Sequence, residues 1–256
     1  MIYREISIYM GSLLKYLVLS LLLLFPSICE AGGSRLFVDP DVVISDGSHI
    51  DEDGVISFSI WFKGNNLSSN NDRFFMFRDG NQGFMCVWRP GSNAVVSICT
   101  HEDDAGGSAQ WLNQVKADMN DTDWHCLQGT VSAGAASKTV TAFYLDGVSS
   151  STSSADGLGS GNDVNQVWIG LRTDSGSGFN GNLAYAQVCQ AALTEAEFAQ
   201  ARWYPGTVTN NLKLYLPLFG NSTTEPDLSG NDKDGTATGS TESEEGPPIM
   251  VGGTSV

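Results

Sequence analysis

Three oxygen-bearing side chains near the end of the sequence alternate in a way that could hold a hard cation. In the segment 227–231 they stand at every second position: Asp227, Ser229 and Asn231. Carboxylate, hydroxyl and amide oxygens are ligands that calcium takes, but a helix-flanked calcium loop also needs a Glu at its twelfth position, where this chain has Thr238. Asp and Asn also close turns by bonding their own backbone. The segment therefore predicts a turn, with a calcium site at these three residues as the alternative.

The cysteines are the second group with chemistry of their own. Beyond the first 31 residues there are four: Cys86, Cys99, Cys126 and Cys189. An even number in an exported chain predicts disulfides, and the absence of a Cys-x-x-Cys spacing argues against a zinc or redox site. A hairpin about the turn-prone residues 89–93 would bring Cys86 and Cys99 opposite one another. We therefore favour Cys86 with Cys99 and, by elimination, Cys126 with Cys189; four buried thiols are the alternative.

The elements that must position these residues are mostly β-strands. Short runs of β-branched and aromatic residues recur between turns of Gly, Ser, Asn and Asp, with almost no helical periodicity. This pattern predicts an all-β fold, an antiparallel β-sandwich of two sheets. The predicted strands are 36–38, 55–63, 73–78, 84–88, 95–99, 124–131, 139–146, 166–171, 183–189 and 212–219.

One short helix is predicted after Leu193. Thr194 is a suitable N-cap, Glu197 three residues later completes a capping box, and Leu193 and Phe198 stand at the positions of a hydrophobic staple. The helix is expected to end near residues 204–206, Tyr-Pro-Gly, and to have a structural role.

Residues 1–31 are predicted to be a signal peptide. Arg4 and Lys15 supply positive charge, residues 16–25 form an uncharged apolar core, and residues 29–31, Cys-Glu-Ala, offer a cleavage site before Gly32. One alternative is a membrane anchor, for which the apolar run has only about half of the ~20 residues needed. The other is a lipid anchor at Cys29. We therefore expect a protein that is secreted or held at the cell surface, without membrane insertion after cleavage.

The chain after this leader is strongly acidic, which limits its partners. Arg4 and Lys15 balance Glu5 and Glu30, so the formal net charge of −16 belongs to the later residues. Such a charge repels nucleic acids and anionic membranes, and it is compatible with calcium or simply with solubility. We assign residues 32–241 to one β-sandwich domain. The acidic, Gly- and Pro-containing residues 242–256 are expected to be a flexible tail.

The middle of the sequence resembles a known family. Trp124-His125, followed by the Tyr-Leu-Asp-Gly run 144–147, is similar to the central hairpin of laminin G-like domains in the concanavalin A-like lectin/glucanase superfamily. Gly147 suits the tight turn that ends this hairpin strand. Other segments resemble the family's first core strand, its late strands and the following helix, in the same order: 56–63, 167–170, 179–183 and 191–197. The resemblance covers residues 55 to about 202 and implies a jelly-roll sandwich with a structural role for His125.

The resemblance extends to the C-terminal strand and to function. Residues 212–218 and the turn after them look family-like and imply a closing strand beside the N-terminal one. The family also implies recognition of an extracellular glycan or protein, from loops at one rim or from the concave sheet, with aromatic rings stacking on sugars. The candidate ligand-binding residues are Trp88, Trp111 and Tyr185, among aromatics that include Trp168 and Trp203. A structural or adhesive surface protein is the alternative.

Catalysis is not predicted, although the same superfamily includes glycoside hydrolases. Their motif resembles Glu-x-Asp-x-x-Glu on one strand, whereas the Glu-x-Asp of residues 225–227 has Gly230 at the third position. Ala184 stands where the family usually has an acidic residue. The sequence has no Gly-x-Ser-x-Gly motif and three histidines, His49, His101 and His125. We therefore assign no catalytic residue and no cofactor other than the alternative calcium; a hydrolase is the second alternative.

Overall fold

The computed structural model describes residues 33–38, 41–51, 54–65, 72–79, 82–89, 95–101, 110–115, 123–134, 137–149, 153–156, 164–170, 178–219, 222–243 and 245–250. Structural statements below concern these residues, and for residues 72–73, 78–115, 133–139 and 153–156 they concern the backbone alone. The predicted leader, residues 1–31, lies outside them. In the described part of the chain, no helix is long and apolar enough to span a bilayer.

The described residues form strands β1 to β17 and one α-helix. The N-terminal strands are β1 Ser34–Phe37, β2 Val42–Ile50, β3 Ile56–Gly64, β4 Asp72–Asp79, β5 Gln82–Arg89, β6 Val95–His101, β7 Gln110–Val115, β8 His125–Gly134 and β9 Ser137–Leu145. They are followed by β10 Val148–Ser149, β11 Ser153–Asp156, β12 Val164–Ile169, β13 Gly181–Cys189, the helix α1 Glu195–Trp203, β14 Leu212–Leu216, β15 Thr224–Glu225, β16 Gly235–Thr238 and β17 Thr241–Ser243.

These strands make two antiparallel sheets. The nine-stranded sheet has the order β10-β9-β8-β3-β13-β1-β17, with β11 also paired to β9 and β14 to β13. The eight-stranded sheet has the order β15-β16-β2-β12-β4-β5-β6-β7. Neighbours distant in sequence, such as β3 with β13 and β2 with β12, give the crossovers of a jelly roll. The predicted fold, an all-β antiparallel β-sandwich with one short helix, is confirmed.

The core lies between the sheets and is rich in phenylalanine. Phe58 and Phe62 of the nine-stranded sheet meet Phe75 and Phe74 of the eight-stranded sheet, with ring centroids 6.0 and 4.5 Å apart. All four side chains are at most 1 % exposed. Burying each ring contributes about 1.5–3 kcal/mol, so these contacts are a large part of what holds the two sheets together.

The predicted hairpin and helix boundaries are confirmed. Strand β8 pairs with β9, and the tight turn after β9 has positive φ at both Asp146 (55°) and Gly147 (79°), as a primed hairpin turn requires. In α1, the Thr194 hydroxyl accepts a hydrogen bond from the Glu197 backbone N–H, and the Glu197 carboxylate accepts one from the Thr194 backbone N–H. Each end of the capping box thus satisfies a backbone donor of the first turn.

Several strands are missing from the sequence prediction. β2 and β7 have no counterpart, because β2 contains Asp46, Gly47 and Ser48 and β7 contains Gln110, Asn113 and Gln114, residues that lower strand propensity. Both are held by pairing on neighbouring strands, β2 by β12 and β16 and β7 by β6. Here pairing in the sheet overrides local preference.

The predicted disulfide between Cys126 and Cys189 is wrong, whereas the one between Cys86 and Cys99 stays a prediction, because the structure describes only the backbone there. In the β5–β6 register, Cys86 pairs with Ile98 and Cys99 with Met85, one position away from the direct opposition that was expected. Cys126 and Cys189 are free buried thiols. Cys126 of β8 pairs with Trp61 of β3, and Cys189 of β13 pairs with Ser57 of β3. Strand β3 therefore lies between the two strands that carry these cysteines. That separation is too large for a disulfide.

The C-terminal segment is more ordered than the predicted tail. Strand β17 extends to Ser243 and pairs with β1, while β16 pairs with β2, so these two strands, rather than β14, lie beside the N-terminal ones. β14 pairs with β13. Beyond β17, the Met250 backbone N–H donates to the Trp203 carbonyl (2.7 Å), and Ile249 is buried against Trp61 and Tyr185. Packing therefore continues to Met250, past the predicted boundary at 241.

Candidate functional site

The outer face of the eight-stranded sheet carries apolar side chains that are less buried than those of its inner face. On the inner face Val43, Val167 and Ile169 are completely buried in the core. On the outer face, the alternating neighbours Ile44 and Trp168 are half-buried and remain partly open to solvent. Apolar residues on the solvent side of a sheet are unusual, because such positions in a sandwich are ordinarily polar. This face is therefore the candidate functional surface.

The apolar positions on this face are aligned across the strands. Residues paired directly in an antiparallel ladder share a face, and the pairs Ile44–Trp168, Trp168–Met76, Met76–Met85, Met85–Cys99 and Cys99–Trp111 follow one another from β2 to β7. We call these six positions the apolar row. It runs at right angles to the strands, crosses five strand spacings of about 4.8 Å, and is therefore about 24 Å long.

Trp168 is the described aromatic ring of the apolar row. Its indole Nε1–H donates a hydrogen bond of 2.9 Å to Oε1 of Gln166, two residues along the same face of β12. Gln166 is exposed, so its amide group lies beside the ring at the solvent boundary. A half-buried ring held in place, with an amide next to it, can stack on an apolar face of a ligand and offer hydrogen bonds to its edge.

A polar row flanks the apolar row. Gln166 pairs with Asp46 on β2 and with Arg78 on β4, which continues to Gly83 and His101. The Asp46 carboxylate forms an ion pair with the Lys233 ammonium, 2.6 Å away, and accepts the Ser48 backbone N–H. The hydrogen bond from Lys233, and then those from Ser48, hold the pKa of Asp46 well below its ordinary value. The carboxylate is thus ionised and already paired.

Of the three aromatic residues predicted to bind ligand, the structure describes the side chain of Tyr185. It lies in the nine-stranded sheet, 6 % exposed, packed with Trp61 and Ile249. Burial raises the pKa of Tyr185 to about 12. Tyr185 is therefore packed on the other sheet, away from Trp168. Trp88 lies on β5 and Trp111 on β7, where the structure describes the backbone alone, so their binding role stays a prediction.

Asp227, Ser229 and Asn231 form the predicted turn. Oδ1 of Asp227 accepts hydrogen bonds from the backbone N–H groups of Tyr215 (2.9 Å) and Ser229 (3.0 Å). Oδ2 accepts from the Ser229 hydroxyl (2.8 Å) and the Lys233 N–H (3.1 Å). The Asn231 amide donates to backbone carbonyls. Four donors already meet the carboxylate, so the geometry favours a turn. Within the described ranges, no three His, Cys, Asp or Glu residues are grouped to hold a metal ion.

The Glu-x-Asp segment and His125 also have structural partners. Glu225 is fully buried, and its Oε2 accepts from Nε of Arg35 at 2.8 Å while its Oε1 accepts the Leu218 N–H at 2.7 Å. Nδ1 of His125 lies 2.8 Å from Oδ2 of Asp146, whose Oδ1 accepts the Cys126 backbone N–H. These contacts tie loops to strands, in line with the structural role expected for His125.

A second concavity lies where α1 crosses the outer face of the nine-stranded sheet. Its lining includes Gln128, Tyr144, Glu195, Arg202 and Trp203. The Gln128 amide donates to the Phe198 carbonyl at 2.8 Å, and the Arg202 guanidinium lies 4.7 Å from the centre of the Trp203 ring. The Arg202 Nη1 also donates to the Asp146 carbonyl. These polar groups fasten the helix to the sheet, so the concavity is the seam between the two.

Sequence reasoning named Trp168 as one aromatic among several and missed its partner Gln166. The alternation along β12 contained the signal. Val167 and Ile169 are the inward apolar positions, and the positions between them, Gln166 and Trp168, face outward, so a large ring stands on the solvent side. The alignment with Met76 and Trp111 depends on register, which one strand alone does not reveal.

The comparisons with known proteins agree with this architecture. The profile of a laminin G-like family described as the concanavalin A-like lectin/glucanases superfamily matches residues 38–199, more than half of the chain. No curated protein matches the sequence. Among solved structures, a Bacteroides ovatus protein to which carbohydrate binding has been ascribed is 15 % identical, with a TM-score of 0.61 over 86 % of this chain and 62 % of that chain. The chain thus spans less than two thirds of that protein, and at this identity the likeness shows the fold.

Two more distant structures show weaker similarity. Domain 4 of the extracellular GH43 arabinanase AbnA from Geobacillus stearothermophilus, solved with arabinotriose, is 18 % identical over 64 % of this chain and 69 % of that one, with a TM-score of 0.41. Domains LG4-5 of the mouse laminin alpha1 chain are 13 % identical over 62 % of this chain and 41 % of that one, with a TM-score of 0.38.

Proposed function

This chain belongs to the laminin G-like group of the concanavalin A-like lectin/glucanase superfamily, and from that premise we propose that it is an extracellular, non-catalytic module that binds glycans. The binding surface is the outer face of the eight-stranded sheet. The observation that carries the proposal is the half-buried Trp168 ring, which is hydrogen-bonded to Gln166 and paired with the half-buried Ile44 on the same face of the sheet.

The chemistry of this surface suits a sugar. The carbon-bound hydrogens on one face of a pyranose ring pack on an aromatic ring, and its hydroxyl groups need hydrogen-bonding partners at the rim. Trp168 supplies the first, and the Gln166 amide and the row continuing to Asp46 supply the second. The spacing of adjacent strands, about 4.8 Å, is also close to the length of one sugar unit in an extended chain. A glycan lying along the apolar row would therefore meet one strand per sugar.

The absence of catalysis is part of the proposal and is supported by how the carboxylates are used. Hydrolysis of a glycosidic bond needs two carboxyl groups that face the substrate from opposite sides. Glu225 is buried in an ion pair with Arg35, and Asp227 is occupied by four donors within its own turn. Neither carboxyl group is available to a substrate on the outer face.

Binding to a glycan array, followed by titration of the positive glycans, tests the function. Trp168→Ala should weaken binding by about 10-fold or more, since a stacked aromatic contact is worth ~0.5–1.5 kcal/mol beyond the area it buries. Leu228→Ala is the matched control, because Leu228 is an apolar residue, 56 % exposed, on the turn after β15 and outside the apolar row. We expect that control to bind as the unmodified protein does.

The outcomes separate the alternatives. Absence of binding to any glycan, or equal binding by the Trp168 and Leu228 variants, would contradict the proposed surface and leave a structural or adhesive role. Release of reducing sugar from a bound glycan would contradict the non-catalytic assignment. A repeat of the titration with chelator tests calcium separately. We expect no change, because the Asp227 turn is held by its own backbone.

A further inference from the structure

The outer face of the nine-stranded sheet carries a cluster of large rings. On β3, Ile60 and Phe62 belong to the core between the sheets, so Trp61 between them lies on the outer face. Three further rings belong to this cluster or pack against it: Tyr185, Trp124 and Tyr215. We call these four rings the aromatic patch. Outward positions of a sandwich are ordinarily polar, and Trp and Tyr are enriched where one chain binds another, so the patch has the composition of a docking surface.

Tyr185 reaches the aromatic patch through a local distortion of β13. The register of β13 on β3 shifts between Ala184 and Gln187, so two residues of β13 stand opposite one residue of β3. Of these two, Ala186 lies in the core, and Tyr185 is turned outward with a φ of 53°. Positive φ strains a bulky residue, and such strain is characteristic of binding surfaces. The bulge thus places a ring on the outer face where a regular strand would not.

The aromatic patch is covered by residues near the end of the chain. Ile249 is 6 % exposed and packs in one cluster with Trp61 and Tyr185. Pro247 is also buried, whereas Pro248 between them is exposed. This alternation turns two apolar side chains inward and one to solvent. An extended peptide that contains proline is a usual ligand of an aromatic-lined surface.

The same part of the chain also extends the sheet. Strand β17 pairs with β1 through three residue pairs and forms the end of the nine-stranded sheet. After it, the Glu245 carboxylate forms an ion pair with Lys63 of β3, and the Glu245 carbonyl accepts a hydrogen bond from the Ser34 hydroxyl of β1. We call β17 and residues 245–250 the terminal arm. The arm combines an added edge strand with apolar side chains set on a neighbouring surface, as a peptide bound by strand addition does.

The terminal arm joins the rest of the domain where the chain passes from one sheet to the other. Strand β16 belongs to the eight-stranded sheet and β17 to the nine-stranded sheet, and residues 239–240 connect them. Gly239 has a φ of 82°, and a Cβ atom at this position would clash with the Asp41 carboxylate. The connection thus depends on one glycine. Since the contacts of the arm follow this point, they are the same whether the arm belongs to the same chain or to a second copy.

From these observations we propose that β1 and the aromatic patch form a docking site for the terminal arm of a second copy of this chain, which takes the place of the chain's own arm. The arm that the structure shows seated on this site is present in every copy, so a second copy carries a ligand of the right shape and chemistry. Reciprocal exchange of two arms gives a closed dimer with twofold symmetry. The proposed glycan surface lies on the other sheet and stays open, so this inference goes beyond the proposed function and does not rest on it.

The chain's own arm sets the concentration at which exchange occurs. A segment on a short connection competes with an effective concentration on the order of 1 mM, so the chain is a monomer in dilute solution and exchanges arms as its concentration approaches that value. Charge acts against the exchange, because each copy has a net charge of −16. Salt screens this repulsion, so more dimer forms at higher salt, whereas a dimer held by ion pairs would weaken.

Sedimentation of the full chain tests the proposal without any variant. We compare about 10 µM with about 1 mM protein, at about 50 mM and about 500 mM salt. We expect a monomer at the lower protein concentration and a dimer at the higher one, with the larger dimer fraction at the higher salt. Two preparations of the full chain that carry different fluorophores should develop energy transfer after mixing. An excess of a synthetic peptide of residues 241–250 should prevent this transfer, since the peptide fills the docking site.

One pair of variants assigns the dimer to the terminal arm. Ile249→Asp removes the apolar anchor and should abolish the dimer, whereas Pro248→Asp makes the same change of charge at the exposed neighbour and should leave the dimer intact. The thermal midpoint of each variant checks its fold. The same Ile249→Asp replacement in the synthetic peptide should remove its effect on the unmodified chain, which needs no variant protein.

A second pair of variants tests the connection. Gly239→Ala strains the turn and clashes with Asp41, so the chain's own arm is displaced and the dimer should form at a protein concentration lower by ~10-fold. Gly230→Ala is the control, because Gly230 also has positive φ but no described atom lies within 4 Å of an added Cβ. We expect this control to dimerise as the unmodified chain does.

Several results would overturn the inference. A monomer at every protein and salt concentration, with no energy transfer, would refute exchange. A dimer that survives Ile249→Asp, or that weakens with salt, would show another interface, and equal effects of Gly239→Ala and Gly230→Ala would refute the assigned connection. Binding of the peptide by a chain that stays monomeric would show a site for another protein's segment and would refute a second copy as the partner. The glycan array is independent of these assays, so failure of the proposed function leaves this inference in place.

Discussion

The buried ion pair between Arg35 and Glu225 gives the sharpest test of how the fold is held together. Arg35 lies on β1 of the nine-stranded sheet and Glu225 on β15 of the eight-stranded sheet, so the pair joins the two sheets. The side chains are 1 % and 0 % exposed, and Nε lies 2.8 Å from Oε2. Nη2 donates to the Ser222 carbonyl at 2.7 Å, and Oε1 accepts the Leu218 N–H at 2.7 Å. The contact between Nε and Oε2 and the one to Leu218 are therefore inside the protein.

Glu225→Gln removes the negative charge with almost no change of shape. The remaining amide oxygen can still accept the Leu218 N–H, but the amide nitrogen replaces the oxygen that faces Nε of Arg35, so two donors meet and the guanidinium charge stays buried without a counter-charge. Breaking a buried pair in this way costs about 3–5 kcal/mol. Stabilities of whole domains are about 5–15 kcal/mol, so the loss is a large fraction of the total. The thermal midpoint should fall by roughly 6–20 °C, at ~2–4 °C per kcal/mol for a chain of this size.

Urea denaturation followed by tryptophan fluorescence measures this loss, and urea leaves the ionic strength unchanged. Lys233→Gln is the control, because it breaks an ion pair with Asp46 whose side chains are 26 % and 50 % exposed. An exposed pair contributes about 0–1 kcal/mol. The double variant Arg35→Met, Glu225→Leu removes both charges and should be more stable than Glu225→Gln alone. A loss below about 1 kcal/mol for Glu225→Gln, equal to that of the control, would refute the argument that burial makes this pair critical.

Three further outcomes follow from the nine-stranded sheet and its helix. Thr194→Ala should lower the free energy of unfolding by about 1 kcal/mol because the Glu197 N–H loses its acceptor, and Thr194→Ser should restore it; equal stability of both variants would contradict the cap. Burial raises the thiol pKa of Cys126 to about 12 and of Cys189 to about 11, from 9.0, so a thiol reagent should label them only after unfolding. Because the pKa values of both thiols in the folded protein lie above 9.0, their contribution to the free energy of unfolding is complete below pH 9.0 and is lost as the pH rises toward 11–12. Denaturation at stepped pH measures this loss. A free energy of unfolding that does not change over this pH range would contradict the prediction. Ile249→Ala should cost about 2–5 kcal/mol as a core truncation, against little for the half-exposed Met250→Ala, and equal small losses would mean that the C-terminal segment is not packed.

Sequence patterns a few residues long were sufficient to predict the parts of the fold that depend on contacts between near neighbours in the sequence. The capping box at Thr194 and Glu197, the tight turn at Asp146 and Gly147 and the alternation of core strands each depend on residues a few positions apart, and each is confirmed. Such signals carry their own structural reason, since a cap needs its acceptor and a primed turn needs positive φ. They indicate where helices, strands and turns lie and which fold class these form, but they carry no information on how distant strands pair.

The strands of the cysteine-bearing hairpin could be predicted from the sequence, but their register could not. The hairpin that carries Cys86 and Cys99 exists, and its register is one residue away from the one assumed. Cys126 and Cys189 were paired by elimination, and β3 lies between their strands. These two thiols are thus buried by packing, without a covalent bond between them.

The candidate surface could not be reached from the sequence because it exists only across strands. Trp168, Met76 and Trp111 come from three segments separated by long stretches of chain, and no spacing along the sequence relates them. The ladder from β2 to β7 aligns their backbone positions in one row. A shift of one residue in any of these pairings would move a position to the other face, so the row is a property of the register and not of any one strand.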